Sequence, residues 1–477
     1  MSTLTAGAPS RGLVGHPYRW WVLALVLAAE VMDLLDATIV TIAGPAITGD
    51  LGGSSATLQW LLAAYTLAMA VGLIVSGRLG DRVGRKRMFL IGAAGFTLAS
   101  LMCGLAWDPE MLIGCRVLQG LFGAVMLPQG IALIKAVFPP DEIGKAFAAF
   151  GPVMGLSAVL GPVLSGVLVD ADLFGLGWRM IFLINLPVGL FAILGARRFM
   201  PEVRAGSGAR LDPLGTLLLI TGCLLLFYPL VQGRELGWPA WTFAMMAGAV
   251  VVFGAFGLSE RRGKEPVIAP GLFRHRGYVG GLFVIMTFVG AMIGFMLVFN
   301  AFTQYGLGYD ALHAGLALVP WSLGIAVGAP LGGALLAPRL GRGCLQIGML
   351  VAAGGMLLMW WTIGAQGASA TVWDFVPATF VAGVGCGLVF APLFDIVLAD
   401  LADDEVGSGS GLLTAVQQFG NAAGAAAVGT LFFELLNNHA LIDSMQVTTL
   451  VAAGMFGLSL LVSYGLPRRA REEASAH

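Results

Sequence analysis

The sequence predicts an all-α polytopic membrane protein with 14 transmembrane helices, and three observations carry that prediction. Lys and Arg number 26 and Asp and Glu 27 among 477 residues, so 11% of the chain is charged while 58% is hydrophobic; an average soluble domain is about 25% charged. Fourteen apolar runs of roughly 20 residues or more follow one another, the length a helix needs to cross about 30 Å of hydrocarbon. Finally, the basic residues gather in alternate connections between those runs, as they do in loops retained on the cytoplasmic side.

The runs extend over 19 to 43, 58 to 77, 88 to 106, 111 to 136, 146 to 169, 179 to 198 and 213 to 231 in the first part of the chain. They continue over 241 to 259, 278 to 302, 312 to 336, 343 to 364, 374 to 396, 409 to 434 and 447 to 466. Span 1 is too long and too acidic for a cleaved signal peptide and is read as a retained helix. With the N-terminus inside, every Lys and Arg except Arg116, Arg179 and Arg234 falls on the inner side. One missed helix would invert that pattern, so both termini are expected in the cytoplasm. Trp20 and Trp21 mark the inner boundary and Trp60, Trp107, Trp178 and Trp373 the outer one, the positions of an aromatic belt.

Composition also excludes functions. A net charge of -1 offers no field for nucleic acid. Cys103, Cys115, Cys223, Cys344 and Cys386 stand singly in apolar surroundings, so no metal site is expected. Gly144-Lys145 and Gly263-Lys264 lack the rest of a phosphate-cradling loop, so energy must come from a gradient and no cofactor is expected. No catalytic constellation lies at one depth, and the chain is read as a non-enzyme.

Charges inside the membrane cost at least about 2.5 to 3.5 kcal/mol each, so each calls for a role. Glu30, Asp33 and Asp36 form an acidic ladder along span 1. Like charges one turn apart in a low dielectric cannot all stay ionised comfortably, which makes Asp36 or Asp33, and Glu30 nearer the inner mouth, candidate proton-coupling acids; the other reading is a wet vestibule of permanent charges. Arg116 in span 4 lies at the depth of Asp36, either as a partner released during transport or as a fixed salt bridge. Gln119, Trp321, Tyr65, Asn300 and Gln417 are the candidate substrate contacts. Trp321 sits at mid-membrane depth, where its indole N–H needs a partner, and it is read either as a stacking surface for flat substrates or as a packed core residue. Gln417, Gln418 and Asn421 are read either as bonds across helices or as substrate contacts. In span 10, Gly324, Gly328 and Gly332 form a smooth stripe expected against span 5.

Several motifs stand in order along the chain. Gly77-Arg78-Leu79-Gly80-Asp81-Arg82-Val83-Gly84-Arg85-Lys86-Arg87 joins spans 2 and 3. Span 4 carries Arg116-Val117-Leu118-Gln119-Gly120. Span 5 carries Gly151, Gly155, Gly161-Pro162 and Gly166, and span 1 carries Leu35-Asp36-Ala37-Thr38. Trp178-Arg179, Asn185-Leu186-Pro187 and Leu211-Asp212-Pro213 follow. Together they resemble the major facilitator superfamily, in its branch of fourteen-span drug/proton antiporters.

That resemblance implies two six-helix bundles related by a pseudo-two-fold axis plus two inserted helices. The organisation is then 1–18 cytoplasmic N-terminus, 19–198 first bundle, 199–212 linker, 213–259 inserted spans, 260–277 linker, 278–466 second bundle and 467–477 cytoplasmic tail. It implies a cytoplasmic gate at Gly77, Asp81, Arg82, Gly84 and Arg85, with Asp81 capping span 13, and an antiporter helix in span 5. The expected activity is proton-coupled antiport exporting amphiphilic drugs or secondary metabolites, cationic or neutral, by alternating access. A dedicated exporter of one endogenous metabolite or antibiotic is the alternative. A proton-translocating subunit of a respiratory complex is the rival from another class, but it relies on embedded lysines and histidines that this chain lacks. The partners expected are lipophilic small molecules, protons and the bilayer, with the chain acting as a monomer. Arginine exceeds lysine 22 to 4, which points to a high-GC bacterium and its cytoplasmic (inner) membrane.

Overall fold

A computed structural model describes residues 16–139, 142, 146, 150–203, 212–262, 270–402 and 405–469. Apolar segments in lipid must satisfy their backbone internally, and each predicted run falls on a long helix. In order these are α1 Arg19–Leu51, α2 Ser55–Val83, α3 Arg85–Gly104, α4 Pro109–Val137 and α5 Phe150–Asp170. Next come α6 Asn185–Phe199, reached through the turns Gly177–Arg179 and Met180–Leu183, then α7 Pro213–Gln232 and α8 Ala240–Arg262. The chain goes on through α9 Arg276–Ala301, α10 Ala311–Pro330, α11 Arg342–Gln366, α12 Val372–Leu398, α13 Val406–Asn438 and α14 Leu441–Ser463. Among the described residues, 12 helices are long and apolar enough to cross a membrane. That set does not include α1, which carries three acids along its middle, or α5, whose apolar part there is Leu160–Asp170.

The sequence punctuates these helices. Asp108 accepts from the Met111 backbone N–H at 2.7 Å, Asp212 from Gly215 at 3.0 Å and Asp310 from His313 at 2.7 Å, and prolines follow the first two. Each satisfies an N–H that a helix start leaves open. Ser54 with Thr57, and Thr371 with Asp374, form capping boxes.

Helices α1 to α6 pack on one another, and so do α9 to α14; the two sets meet where α2 lies against α13 and α5 against α10. Helix α7 touches α2, α13 and α8, and α8 packs chiefly on α7. Outward-facing residues are large and apolar, among them Val250 and Val251 of α8 at 73% and 71% exposed, a surface suited to lipid and not to water.

One corner occurs twice. Gly84 begins α3 at φ +108° and Gly341 begins α11 at φ +54°, left-handed geometry that favours glycine. After Gly84 the Arg85 N–H donates to Val203 O at 3.0 Å and Lys86 Nζ to Met200 O at 2.6 Å. After Gly341 the Arg342 N–H donates to Arg468 O at 2.9 Å and its Nη1 to Leu466 O at 2.8 Å. Each corner is thus tied to the chain leaving the last helix of its own set.

The glycine stripe of α10 and of the π-helical turn Leu331–Leu336 that continues it corrects an expectation. A Cβ at Gly324 would come within 2.4 Å of Phe380 O, at Gly328 within 2.3 Å of Val384 O, and at Gly332 within 2.9 Å of Leu388. All three neighbours lie on α12, so the stripe seats α12 and not α5. Contact with α5 falls earlier, at Gly315, where a Cβ would meet Pro162 O at 2.5 Å.

Candidate functional site

The membrane charges of α1 and α4 meet polar groups from three further helices. Asp36 of α1 and Arg116 of α4 are fully buried and form an ion pair. Gln119 Nε2, one turn along α4, donates to Asp36 Oδ1 at 2.7 Å, and Asn185 Nδ2 from α6 donates to the same oxygen at 3.1 Å. Both amides also donate to Ser100 Oγ of α3, at 2.7 and 3.2 Å. Arg116 Nε donates to Leu61 O of α2 at 3.1 Å, its Nη1 reaches Gln119 Oε1 at 2.9 Å, and its guanidinium lies 4.2 Å from the Tyr65 ring centroid. Desolvating two charges costs several kcal/mol per ion unless hydrogen bonds and Coulomb attraction repay it. Here both are supplied, although Arg116 Nη2 has no partner among the described residues.

One turn along α1, Asp33 is buried and accepts from the Tyr65 hydroxyl. Glu30 is half-buried, with no hydrogen bond or ion pair among the described residues. The ladder is therefore graded, from an acid without a partner, through a phenol-bonded one, to an acid in a full cage.

A cavity of about 60 Å³ lies between the two helix sets. Ala37 and Thr38, the residues after Asp36, form part of its wall, with Thr41, Thr66, Gln418 and Asn421 as further polar lining and Ile293 and Met296 among the apolar part. None of the five predicted substrate contacts lines it. Tyr65 and Gln119 are turned inward to Asp33 and Asp36, and Asn300 is bonded to Thr41 O. Trp321 is fully buried against Phe295, ring centroids 5.7 Å apart at 20°, and its indole N–H has no partner among the described residues. Gln417 points elsewhere because one helical residue turns the side chain by about 100°; Gln418 and Asn421 take the wall instead.

Above the cavity α1 contains Pro45, which has no N–H to give Thr41 O. Asn300 of α9 donates to that freed carbonyl, and Gln304 Nε2 donates to Ile42 O at 2.8 Å and to Asn300 Oδ1 at 2.5 Å. Helix α9 passes there into a π-helical turn, Phe302–Gly306, and Tyr305 OH bonds Thr48 Oγ1 at 2.7 Å. Sequence reading missed this junction; Pro45 was its signal, since a proline within a long apolar run leaves a carbonyl for another element to cap.

In α5, a Cβ at Gly161 would come within 2.3 Å of Thr38 Oγ1 and at Gly166 within 2.6 Å of Leu312 Cα, while Ser165 Oγ donates to Ile39 O at 2.8 Å. Pro162 lines the cavity. The described part of this helix thus sits between α1 and α10; Gly151 and Gly155 have surroundings outside the described residues. So do Gly77 and Asp81 of the predicted gate, where Arg82 is exposed and Gly84 and Arg85 belong to the corner described above. The two cations predicted away from the basic end are paired there: Arg179 Nη1 meets Asp50 at 2.7 Å, and Arg234 contacts Ser55 and Glu235.

Apolar helices in two sets, a cavity where the sets meet and a caged ion pair behind its wall define a membrane carrier. The chain belongs to the Major Facilitator Superfamily, whose model matches residues 26–425, and it is an integral membrane protein and a transporter. It is 49% identical, over 92% of its length and 78% of the other's, to the probable actinorhodin transporter of Streptomyces coelicolor. It is 36% identical, over 87% and 82%, to the puromycin resistance protein of Streptomyces alboniger. Its fold is similar to a crystal structure of a POT family transporter in complex with 5-aminolevulinic acid, with a TM-score of 0.67 and 16% identity over 96% of this chain and 98% of that one.

Proposed function

We propose that this protein is a fourteen-span antiporter of the drug/proton branch that exports amphiphilic drugs or secondary metabolites from a bacterium in exchange for protons. The relatives named for antibiotic transport and resistance support the cargo class. The observation that carries the mechanism is the position of Asp36, caged with Arg116 one residue from Ala37 in the cavity wall. A proton on Asp36 removes the countercharge of Arg116 and leaves the guanidinium on neutral acceptors, so the cage has two arrangements that α1 can pass to the cavity. In this reading the sets α1 to α6 and α9 to α14 are pseudo-symmetric bundles that rock about the cavity, the basic end faces the cytoplasm and Asp81 caps α13 there. The ties of Asn300, Gln304 and Tyr305 to α1 then close the outer side.

The test is proton movement in proteoliposomes holding the purified protein. Adding an exported amphiphile to one side should drive a counterflow of protons, read with an entrapped pH dye, and an imposed pH gradient should drive uphill accumulation. Substrate movement without proton movement overturns the coupling.

A further inference from the structure

We infer that Asn421 determines specificity in the cavity, by accepting a hydrogen bond from a hydroxyl, phenol or ammonium of the substrate; the inference rests on the cavity being the export site. The cavity of about 60 Å³ is smaller than the several hundred Å³ that a drug-sized ligand fills. The substrate-loaded state must be wider, and the side chains at the meeting of the two sets are those a guest first encounters.

The hydrogen bonds of four of the five polar lining residues, all but Thr41, are assigned. The Thr38 hydroxyl proton goes back to its own helix, to Leu34 O at 3.0 Å or Leu35 O at 3.1 Å, and the Thr66 proton goes to Leu62 O at 3.0 Å or Ala63 O at 3.3 Å. Both oxygens keep only acceptor lone pairs. Gln418 Nε2 donates to Met69 Sδ at 2.8 Å, and Gln418 Oε1 accepts from Asn421 Nδ2 at 2.7 Å. This relay sets both amides, because turning Asn421 alone puts two oxygens face to face, turning Gln418 alone puts two N–H groups face to face, and turning both puts Gln418 Oε1 against the Met69 sulfur. Asn421 Oδ1 is left buried with no partner among the described residues.

A buried carbonyl without a donor is costly, and a guest that supplies the donor recovers that cost on binding. Among the described residues no charged side chain lines the cavity, so no countercharge meets an anionic guest there. The favoured cargo is apolar in bulk with at least one free O–H or N–H, and its O-methylated counterpart is disfavoured.

The test uses the purified full-length protein and matched flat aromatic pairs: 2-naphthol with 2-methoxynaphthalene, and 2,6-dihydroxynaphthalene with 2,6-dimethoxynaphthalene. Calorimetric titration should show each phenol bound roughly tenfold or more tightly than its ether. Asn421→Leu should bring the phenols down to the affinity of the ethers while leaving ether binding unchanged, which also shows that the variant is folded. Equal binding of phenol and ether by the parent protein, or a preference that survives Asn421→Leu, overturns the inference while leaving the export reading intact. Failure of the parent protein to bind either member of either pair counts against the cavity as an amphiphile site and takes the inference with it.

Discussion

The two sets of six helices share corners at Gly84 and Gly341 but differ inside. In α1 to α6 the middle of the set holds Asp36, Arg116, Gln119, Asn185 and Ser100 in one bonded cage. In α9 to α14 the corresponding space is aromatic: Phe295 stacks on Trp321, Phe299 meets Phe375 edge-on at 5.2 Å and 86°, and Phe288 lies 5.6 Å from Phe456. One scaffold therefore carries a desolvated ion pair on one side of the cavity and a packed hydrocarbon core on the other. Charges in the membrane interior call for a role, and the caged pair stands in the first set where the second presents packed rings.

The strongest way to break this contrast is at the ion pair. Asp36→Asn should reduce proton-driven accumulation in vesicles to the level of protein-free controls while insertion persists. Arg116→Ala, which strands a buried carboxylate, should destabilise the fold by about 3 to 5 kcal/mol. Urea or thermal melts in detergent check the second effect, and retained uphill transport by Asp36→Asn would move the proton site elsewhere.

The junction between the halves comes next. Asn300→Leu leaves Thr41 O without its donor, at a cost of about 1 to 3 kcal/mol. It should raise labelling of a cysteine at Thr48 from the outer side several-fold in a background without other cysteines; unchanged labelling would make the bond incidental to closure.

In the aromatic half the effect should be smaller and of another kind. Trp321→Phe should lower stability by roughly 1 to 2 kcal/mol through lost packing and shift affinity equally for aromatic and non-aromatic substrates, because the ring does not reach the cavity. Selective loss of aromatic substrates in binding titrations would show that this half also contacts cargo.

The smallest effect concerns the start of α10. The backbone N–H of His313 is the main cause holding Asp310 below the usual carboxylate range. Its stabilisation is therefore fully present above the unfolded value near pH 4 and fades as pH falls through the depressed folded value. Asp310→Ala should cost about 0.5 to 2 kcal/mol at neutral pH, and its melting temperature should converge on that of the parent protein in strong acid.

Hydrophobic run length and the alternation of basic loops made the helices legible, because lipid imposes both on the sequence directly. The depths of Asp36 and Arg116 followed from 1.5 Å per residue, and their pairing could be anticipated. Rotation about each helix axis could not. Gln417 and Gln418 are neighbours in sequence, yet only the second reaches the cavity. Nor does one sequence show which helix will lie against a glycine stripe, since α12 offers its own small residues, Gly383 and Gly387, to α10. Asn185 was quoted only within a motif; its bond to Asp36 depends on α6 lying beside α1.

Helix α7 crosses the line where α2 meets α13. Trp60 Nε1 of α2 donates to Gln232 Oε1 at 3.3 Å, Thr430 Oγ1 of α13 donates to Leu230 O at 2.9 Å, and Phe227 meets Phe419 edge-on at 5.0 Å. One of the two seams in the molecule is thus roofed, and α8 lies outside that roof. A compound dissolved in the leaflet therefore meets α7 and α8 on that flank, whereas the seam of α5 with α10, at Pro162 and Gly315, carries no such covering helix among the described residues. The same roof ties both sets together through one helix, because α7 bonds α2 at Trp60 and α13 at Thr430.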